Sequence, residues 1–138
     1  MARILYSDQG TSPFQRLLGH NPQILAAWNE LESTFYSGVL DNELKEQVRR
    51  TLAVCNGCEY DVRLQGAPVV ERKNKRLALA VDFARMVAGN HLNIRDSVFE
   101  VMKNVFTDAE IAELCAFIFF TNATQKFGAT LQLTAEKD

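Results

Sequence analysis

The sequence lacks most of the features that mark a catalytic or nucleic-acid-binding class. Three prolines and seven glycines in 138 residues leave few breaks, and no run shows the polar and apolar alternation of a half-buried strand. Ala67-Pro68-Val69-Val70 comes nearest, but it is too short and proline-broken. No excess of positive charge exists either: 15 Lys and Arg against 17 Asp and Glu give a formal charge of -2. Such a chain offers no field for a phosphate backbone, so nucleic acid is not an expected partner. The longest aliphatic and aromatic run, Ala116 to Phe120, is far below a membrane span, and no membrane association is expected. Met1 to Asp8 is too briefly apolar and too soon charged for a secretory signal. A soluble, cytoplasmic protein is the expectation, in a compartment that keeps cysteines as thiols. Histidine is nearly absent. His20 and His91 are the two, and with Cys55 and Cys58 they match no zinc-binding spacing, so neither a metal nor a cofactor is expected.

What is present is apolar residue at helical spacing. At 47% hydrophobic, residues 1–138 can bury the core of a single domain without crosslinks. About six helices are predicted, making an all-α bundle. The first starts at Asn21 as N-cap with Pro22 at its first position, carries Ile24, Ala27, Trp28, Leu31 and Phe35, and closes at Gly38. The second runs from Asp41 with Leu44, Val48, Leu52 and Cys55 on one stripe and stops at Asn56-Gly57. A short helix follows from about Cys58 to Gly66. The basic group Arg72, Lys73, Lys75 and Arg76 reads as a solvated helix start ahead of Leu77, Ala80, Val81, Ala84 and Val87. Asp96 can cap a short helix with Phe99 and Met102. Thr107-Asp108-Ala109-Glu110 has the form of a capping box, with Phe106 and Ile111 at the staple positions. The long helix it opens is apolar around much of its circumference as far as Leu131. That helix needs cover on more than one side, from a second subunit or from within the domain.

Glu46 to Gln65 is the chemically dense stretch. Cys58, at a helix start, faces unsatisfied N–H groups that favour a thiolate. Cys55 lies three residues earlier, and the spacing allows a reversible bond to Cys58, though a small core residue on the apolar stripe is an equal reading. Cys115, in mid-helix, reads as core. Glu46 is either a relay carboxylate or one of the paired surface charges in Glu43, Lys45, Glu46, Arg49 and Arg50. Asp61 is a useful acid or base if buried and merely favours a helix N-terminus if exposed.

Three groups of residues carry a family resemblance. They are Gly19-His20-Asn21-Pro22, Leu40 to Glu46, and Ala53-Val54-Cys55-Asn56-Gly57-Cys58-Glu59-Tyr60; Ala80 to Arg85, Val98 to Glu100 and Phe106 to Ile111 extend it. Together they resemble the alkylhydroperoxidase D-like and carboxymuconolactone decarboxylase superfamily over most of the chain. Its thiol members have a glutamate, eleven intervening residues, a cysteine, any residue, a tyrosine or histidine, a second cysteine, three residues and a histidine. Glu46, Cys58 and Tyr60 match; Asp61 replaces the second cysteine and Gln65 the histidine. The resemblance implies that the second cysteine attacks, the histidine is its base, and the glutamate and first cysteine relay protons. Asp61 cannot replace a thiol, and Gln65 has no titration near neutral pH.

The resulting expectation is a thiol-dependent peroxidase or disulfide oxidoreductase in antioxidant defence. Cys58 would attack and Cys55 resolve, with Glu46, Tyr60, Asp61 and Gln65 around them. The alternatives are a decarboxylase-like proton-transfer enzyme acting on a small organic acid, and a noncatalytic oligomeric binding protein. The resemblance also implies a homo-oligomer, a trimer or hexamer, with a peroxide or organic acid as substrate and a dithiol protein as reductant.

Overall fold

The computed structural model describes residues 2–133, apart from the side chains of Asp61 and Gln65. Among these residues seven α-helices form, one more than predicted. The additional one is α1 (Pro13–Leu18), a single well-capped turn and a half. Ser12 accepts from the Gln15 N–H, Gln15 reaches back to the cap, and Pro13 takes the first position, where its missing N–H costs nothing. α2 (Pro22–Tyr36) starts at Asn21 as predicted, but the Asn21 side chain makes no capping bond. α3 (Asn42–Cys55) is capped by Asp41, which accepts from the Glu43 N–H. After α4 (Glu59–Gln65) and an irregular stretch comes α5 (Lys75–Asn90), capped by Asn74 rather than by the basic group. A 3₁₀ turn (His91–Asn93) leads to α6 (Asp96–Lys103), where Arg95 and not Asp96 is the cap residue. α7 (Asp108–Thr130) opens with the Thr107 and Glu110 capping box.

α3 packs most extensively on α5 and next on α7. Val48 and Leu52 of α3, Ala80, Val81 and Ala84 of α5, Met102 of α6, and Leu114 and Ile118 of α7 are fully enclosed. The 3.6-residue period fixes which residues these are, because only one stripe of each helix can face the shared centre. α7 is covered within the chain on a second side as well. Phe14 of α1 meets Phe127 edge-on at 5.4 Å between ring centres. Trp28 and Phe35 of α2 lie 5.4 and 5.3 Å from Phe120. Phe119 stays half-exposed on the remaining face.

One charged group behaves differently from its sequence reading. Lys45, read there as a surface charge, has no exposed surface. Its ammonium lies 3.0 Å from Glu113 Oε2 and donates to the Phe35 carbonyl. Glu113 in turn accepts from the Val39 and Leu40 N–H groups at 2.9 and 2.7 Å, so one pair, its lysine enclosed, ties α7 to the α2–α3 connection. Gly38 lies over that carboxylate, and a Cβ there would collide with it. The basic group after Gly66 is exposed at the start of α5, as read from the sequence, and two of its members make surface pairs. Arg72 pairs with Asp82 at 3.0 Å, and Arg76 reaches Glu110 and the Val105 carbonyl while lying 4.5 Å over the Phe106 ring.

Candidate active site

The local sequence dictates how the first site residue is placed. α3 ends in a Schellman arrangement: the Cys58 N–H donates to the Ala53 carbonyl at 3.0 Å and the Gly57 N–H to the Val54 carbonyl at 3.2 Å. This requires a left-handed residue, and Gly57 supplies it with φ of +62°. Chain direction reverses there, so Cys55 and Cys58 face different surroundings. Cys55, in the last turn of α3, is exposed, which removes it from the core stripe to which Leu44, Val48 and Leu52 belong. Cys58 is 3% exposed and becomes the N-cap of α4, though its side chain makes no capping bond. The sulfur is turned toward α7 instead. A Cβ placed on Gly128 would stand 3.8 Å from it, an ordinary contact distance.

The junction is held from α7. Asn56 Nδ2 donates to Asn122 Oδ1 at 2.7 Å and to Gln125 Oε1 at 2.9 Å, and Gln125 Nε2 donates to the Arg49 carbonyl at 3.0 Å. Asn122 and Gln125 are buried, so their partners matter: an unmet buried amide is costly.

Cys58 lines a cavity of about 250 Å³. One face of α7 forms its floor, with Phe117, Thr121, Gln125 and Gly128 at helical spacing. α2 supplies Glu32, Phe35 and Tyr36, α3 supplies Arg49, α4 supplies Tyr60 and α1 supplies Phe14. From Phe117 to Gly128 the floor extends about 16 Å along the helix at ~1.5 Å per residue, with Cys58 at the Gly128 end. Thr121, 4% exposed, also lines it.

Electrostatics on the Arg49 side are set by one carboxylate between two guanidinium groups. Glu46 accepts from Arg49 at 2.6 and 2.8 Å and from Arg50 at 3.0 Å. Partial burial pushes the Glu46 carboxyl up, but the bonds and charges of Arg49 and then Arg50 outweigh it and hold Glu46 below the ordinary carboxylate range. Burial raises Tyr36, only partly offset by Arg49 beside it, and the nearby Glu32 and Glu46 charges add to the rise. Its phenol is therefore a neutral donor at physiological pH. Cys115, packed against the core, has its thiol raised by burial alone.

Of the residues singled out in the sequence, Cys58 and Tyr60 meet in the cavity, and Glu46 stands one contact behind its wall, on Arg49. Cys55 is exposed and is not part of the lining. Asp61 and Gln65 fall on α4, but their side chains lie outside the described residues. Arg49, Tyr36, Glu32, Thr121 and Gln125 were missed. One signal pointed to the last two: Thr121, Asn122, Thr124 and Gln125 interrupt an otherwise apolar helix. Among the described residues no group of three His, Cys, Asp or Glu side chains is placed to hold a metal ion. No helix among them is long and apolar enough to cross a membrane.

The all-helical bundle resembles the alkylhydroperoxidase D-like fold. Among solved structures, the chain is similar to an uncharacterized peroxidase-related protein from Silicibacter sp. TM1040, with a TM-score of 0.75. The two are 18% identical, and the match covers 87% of this chain and 74% of that one. At this identity the likeness is one of fold. No protein-family profile matches the sequence, and no curated protein matches it.

Proposed function

We propose that the protein reduces an organic hydroperoxide at Cys58, with electrons supplied by an external thiol. The observation that carries this reading is the Cys58 sulfur, buried but lining a cavity that also holds Arg49 and Tyr36. The thiolate is the reactive form, and Arg49 lines the same cavity as the sulfur. The thiolate attacks the terminal peroxide oxygen; an S–O bond forms, the O–O bond breaks, and the alcohol oxygen departs and takes a proton. Tyr36, kept protonated, and Arg49 can donate hydrogen bonds to oxygen in the same cavity. The aromatic walls from Phe14, Phe35, Phe117 and Phe120 suit an organic tail better than hydrogen peroxide alone. The neighbour's description as peroxidase-related agrees with this chemistry. Proton-transfer chemistry finds less support, because Glu46, held below the ordinary carboxylate range, is a weak base.

The test is consumption of cumene hydroperoxide with dithiothreitol as donor. The wild-type protein is expected to turn over and Cys58→Ser to lose at least about tenfold in rate. Equal rates in the two proteins, or no consumption by either, would overturn the proposal.

A further inference from the structure

We infer that Leu133 is a specificity-determining residue: it walls the Cys58 end of the cavity and disfavours hydroperoxides branched at the carbon that bears the O–OH group. This rests on the peroxide chemistry proposed above and names the substrate class of the same site, unbranched rather than tertiary alkyl hydroperoxides.

The placement of Leu133 follows from how α7 ends. The Leu133 N–H donates to the Gly128 carbonyl at 2.8 Å and the Gln132 N–H to the Ala129 carbonyl at 3.1 Å, a second Schellman arrangement. The left-handed residue it needs is Gln132, with φ of 55°, the one non-glycine residue of positive φ among those described. That conformation is unfavourable for any residue with a Cβ, so other contacts must hold the turn. Two do: the Leu131 carbonyl accepts from the Arg3 N–H at 2.8 Å, and Leu133 itself is buried at 3% exposure. A Schellman turn commonly sets the apolar side chain at this position against one from the residue whose carbonyl it bonds. Here that residue is Gly128, which has no side chain to offer, so Leu133 lies over bare α7 backbone.

The sulfur faces the same bare stretch. A Cβ on Gly128 would stand 3.6 Å from Leu133 Cδ2 and 3.8 Å from Cys58 Sγ, so both atoms border one point. Of the residues lining the cavity, only Cys58 and Leu133 lie outside the helices. The aromatic walls are braced on one another, with Phe35 at 5.6 Å from Phe117 and 5.3 Å from Phe120 between ring centres. Leu133 is thus the apolar wall beside the sulfur, and a turn rather than a helix holds it.

Attack on a hydroperoxide brings the terminal oxygen to the sulfur and sets the carbon bearing the O–OH group two bonds further on. A primary carbon carries one chain, which can run along the floor toward Phe117. A tertiary carbon carries two more substituents, and these meet Leu133. One extra carbon in a filled apolar site is discriminated by roughly tenfold or more.

The test uses the full-length protein and two readouts at Cys58. Turnover of cumene hydroperoxide, which is tertiary, is compared with that of primary n-butyl hydroperoxide, with dithiothreitol as donor. Alkylation of Cys58 by N-phenylmaleimide is compared with alkylation by the smaller iodoacetamide, each located by mass spectrometry. Leu133→Ala is expected to raise the cumene-to-butyl ratio of kcat/KM by about tenfold and to raise the phenylmaleimide-to-iodoacetamide ratio with it. Leu133→Met, of similar volume, should keep both ratios near the wild-type values. Should Leu133→Ala fail to fold, Leu133→Val carries the same comparison, with a smaller shift in the same direction. An equal rise for both members of each pair would mean that the turn has merely loosened, and unchanged ratios that Leu133 does not border the reacting sulfur. Either result overturns the inference and leaves the peroxide reading standing. A shifted alkylation ratio with no peroxide consumed by any of the proteins would overturn the peroxide reading, and the substrate class with it.

Discussion

Asn56 Nδ2 donates to Gln125 Oε1 at 2.9 Å, joining the last turn of α3 to the middle of α7. The same amide donates to Asn122 Oδ1 at 2.7 Å, and Gln125 closes the loop by donating to the Arg49 carbonyl at 3.0 Å. Residue 56 thus has a double task. It ends a helix locally, and its amide positions the turn from which Cys58 enters the cavity.

Replacing Asn56 by Ala removes the donor to two buried acceptors. An unmet buried polar group costs about 1–3 kcal/mol, so Asn56→Ala is expected to lose at least that much in urea unfolding. Asn56→Asp has nearly the same shape but turns the amide donor into an acceptor against two oxygens, and its loss should be the larger. If Asn56→Asp proves as stable as the wild type, the network does not hold the junction.

A second prediction concerns Lys45 and Glu113, 3.0 Å apart with the lysine wholly enclosed. Removing Lys45 strands a carboxylate that is 17% exposed and keeps its two N–H donors, at about 1–3 kcal/mol. Lys45→Met is expected to fall in that range, whereas Lys45→Met combined with Glu113→Gln should recover part of the loss, because the stranded charge is gone. Strictly additive losses in the double variant would show that the pair is not coupled.

The same pair sets an acid limit. Burial alone would raise the Glu113 carboxyl, but the Leu40 N–H, Lys45 and the Val39 N–H together hold it below its ordinary value of 4.5. A carboxylate depressed in the folded state contributes stability that is complete above 4.5 and lost as pH falls through the lower folded value. Unfolding free energy should therefore decline with pH below 4.5, and Glu113→Gln should show a shallower decline. Parallel curves for the two proteins would refute the assignment to Glu113.

How far these features were legible in the sequence depends on their range. Thr107 with Glu110, Asp41, and Asn56-Gly57 mark helix ends through bonds spanning two to five residues, and the structure has its helix ends there. Ser12-Pro13-Phe14-Gln15 carries the same local signal, yet the helix it starts is only six residues long and too short to show a period. Lys45 looked like a surface charge because its partner Glu113 is far along the chain. Arg49, Tyr36 and Thr121 come from three different helices, and only packing brings them to one cavity. Cys58 was legible because its placement follows from the glycine beside it. Cys55 looked interior on the α3 stripe, but the helix ends just past the core and leaves it exposed.

Gly128 offers a test that separates stability from chemistry. It lies within α7, where glycine is less favourable than alanine by roughly 0.5–1 kcal/mol. An added Cβ would meet Leu133 Cδ2 at 3.6 Å and Cys58 Sγ at 3.8 Å, contacts that need no rearrangement. Gly128→Ala is therefore expected to raise stability by about that amount while placing a methyl group against the reacting sulfur. Alkylation of Cys58 by N-ethylmaleimide, followed by mass spectrometry, should slow severalfold in the variant even though its unfolding midpoint rises. A larger side chain at the same position, as in Gly128→Leu, should crowd Cys58 and Leu133 and cost about 1–3 kcal/mol. If Gly128→Ala leaves the alkylation rate unchanged, the sulfur is attacked from a side other than the one facing α7, and the cavity loses its claim to be the route by which substrate reaches it.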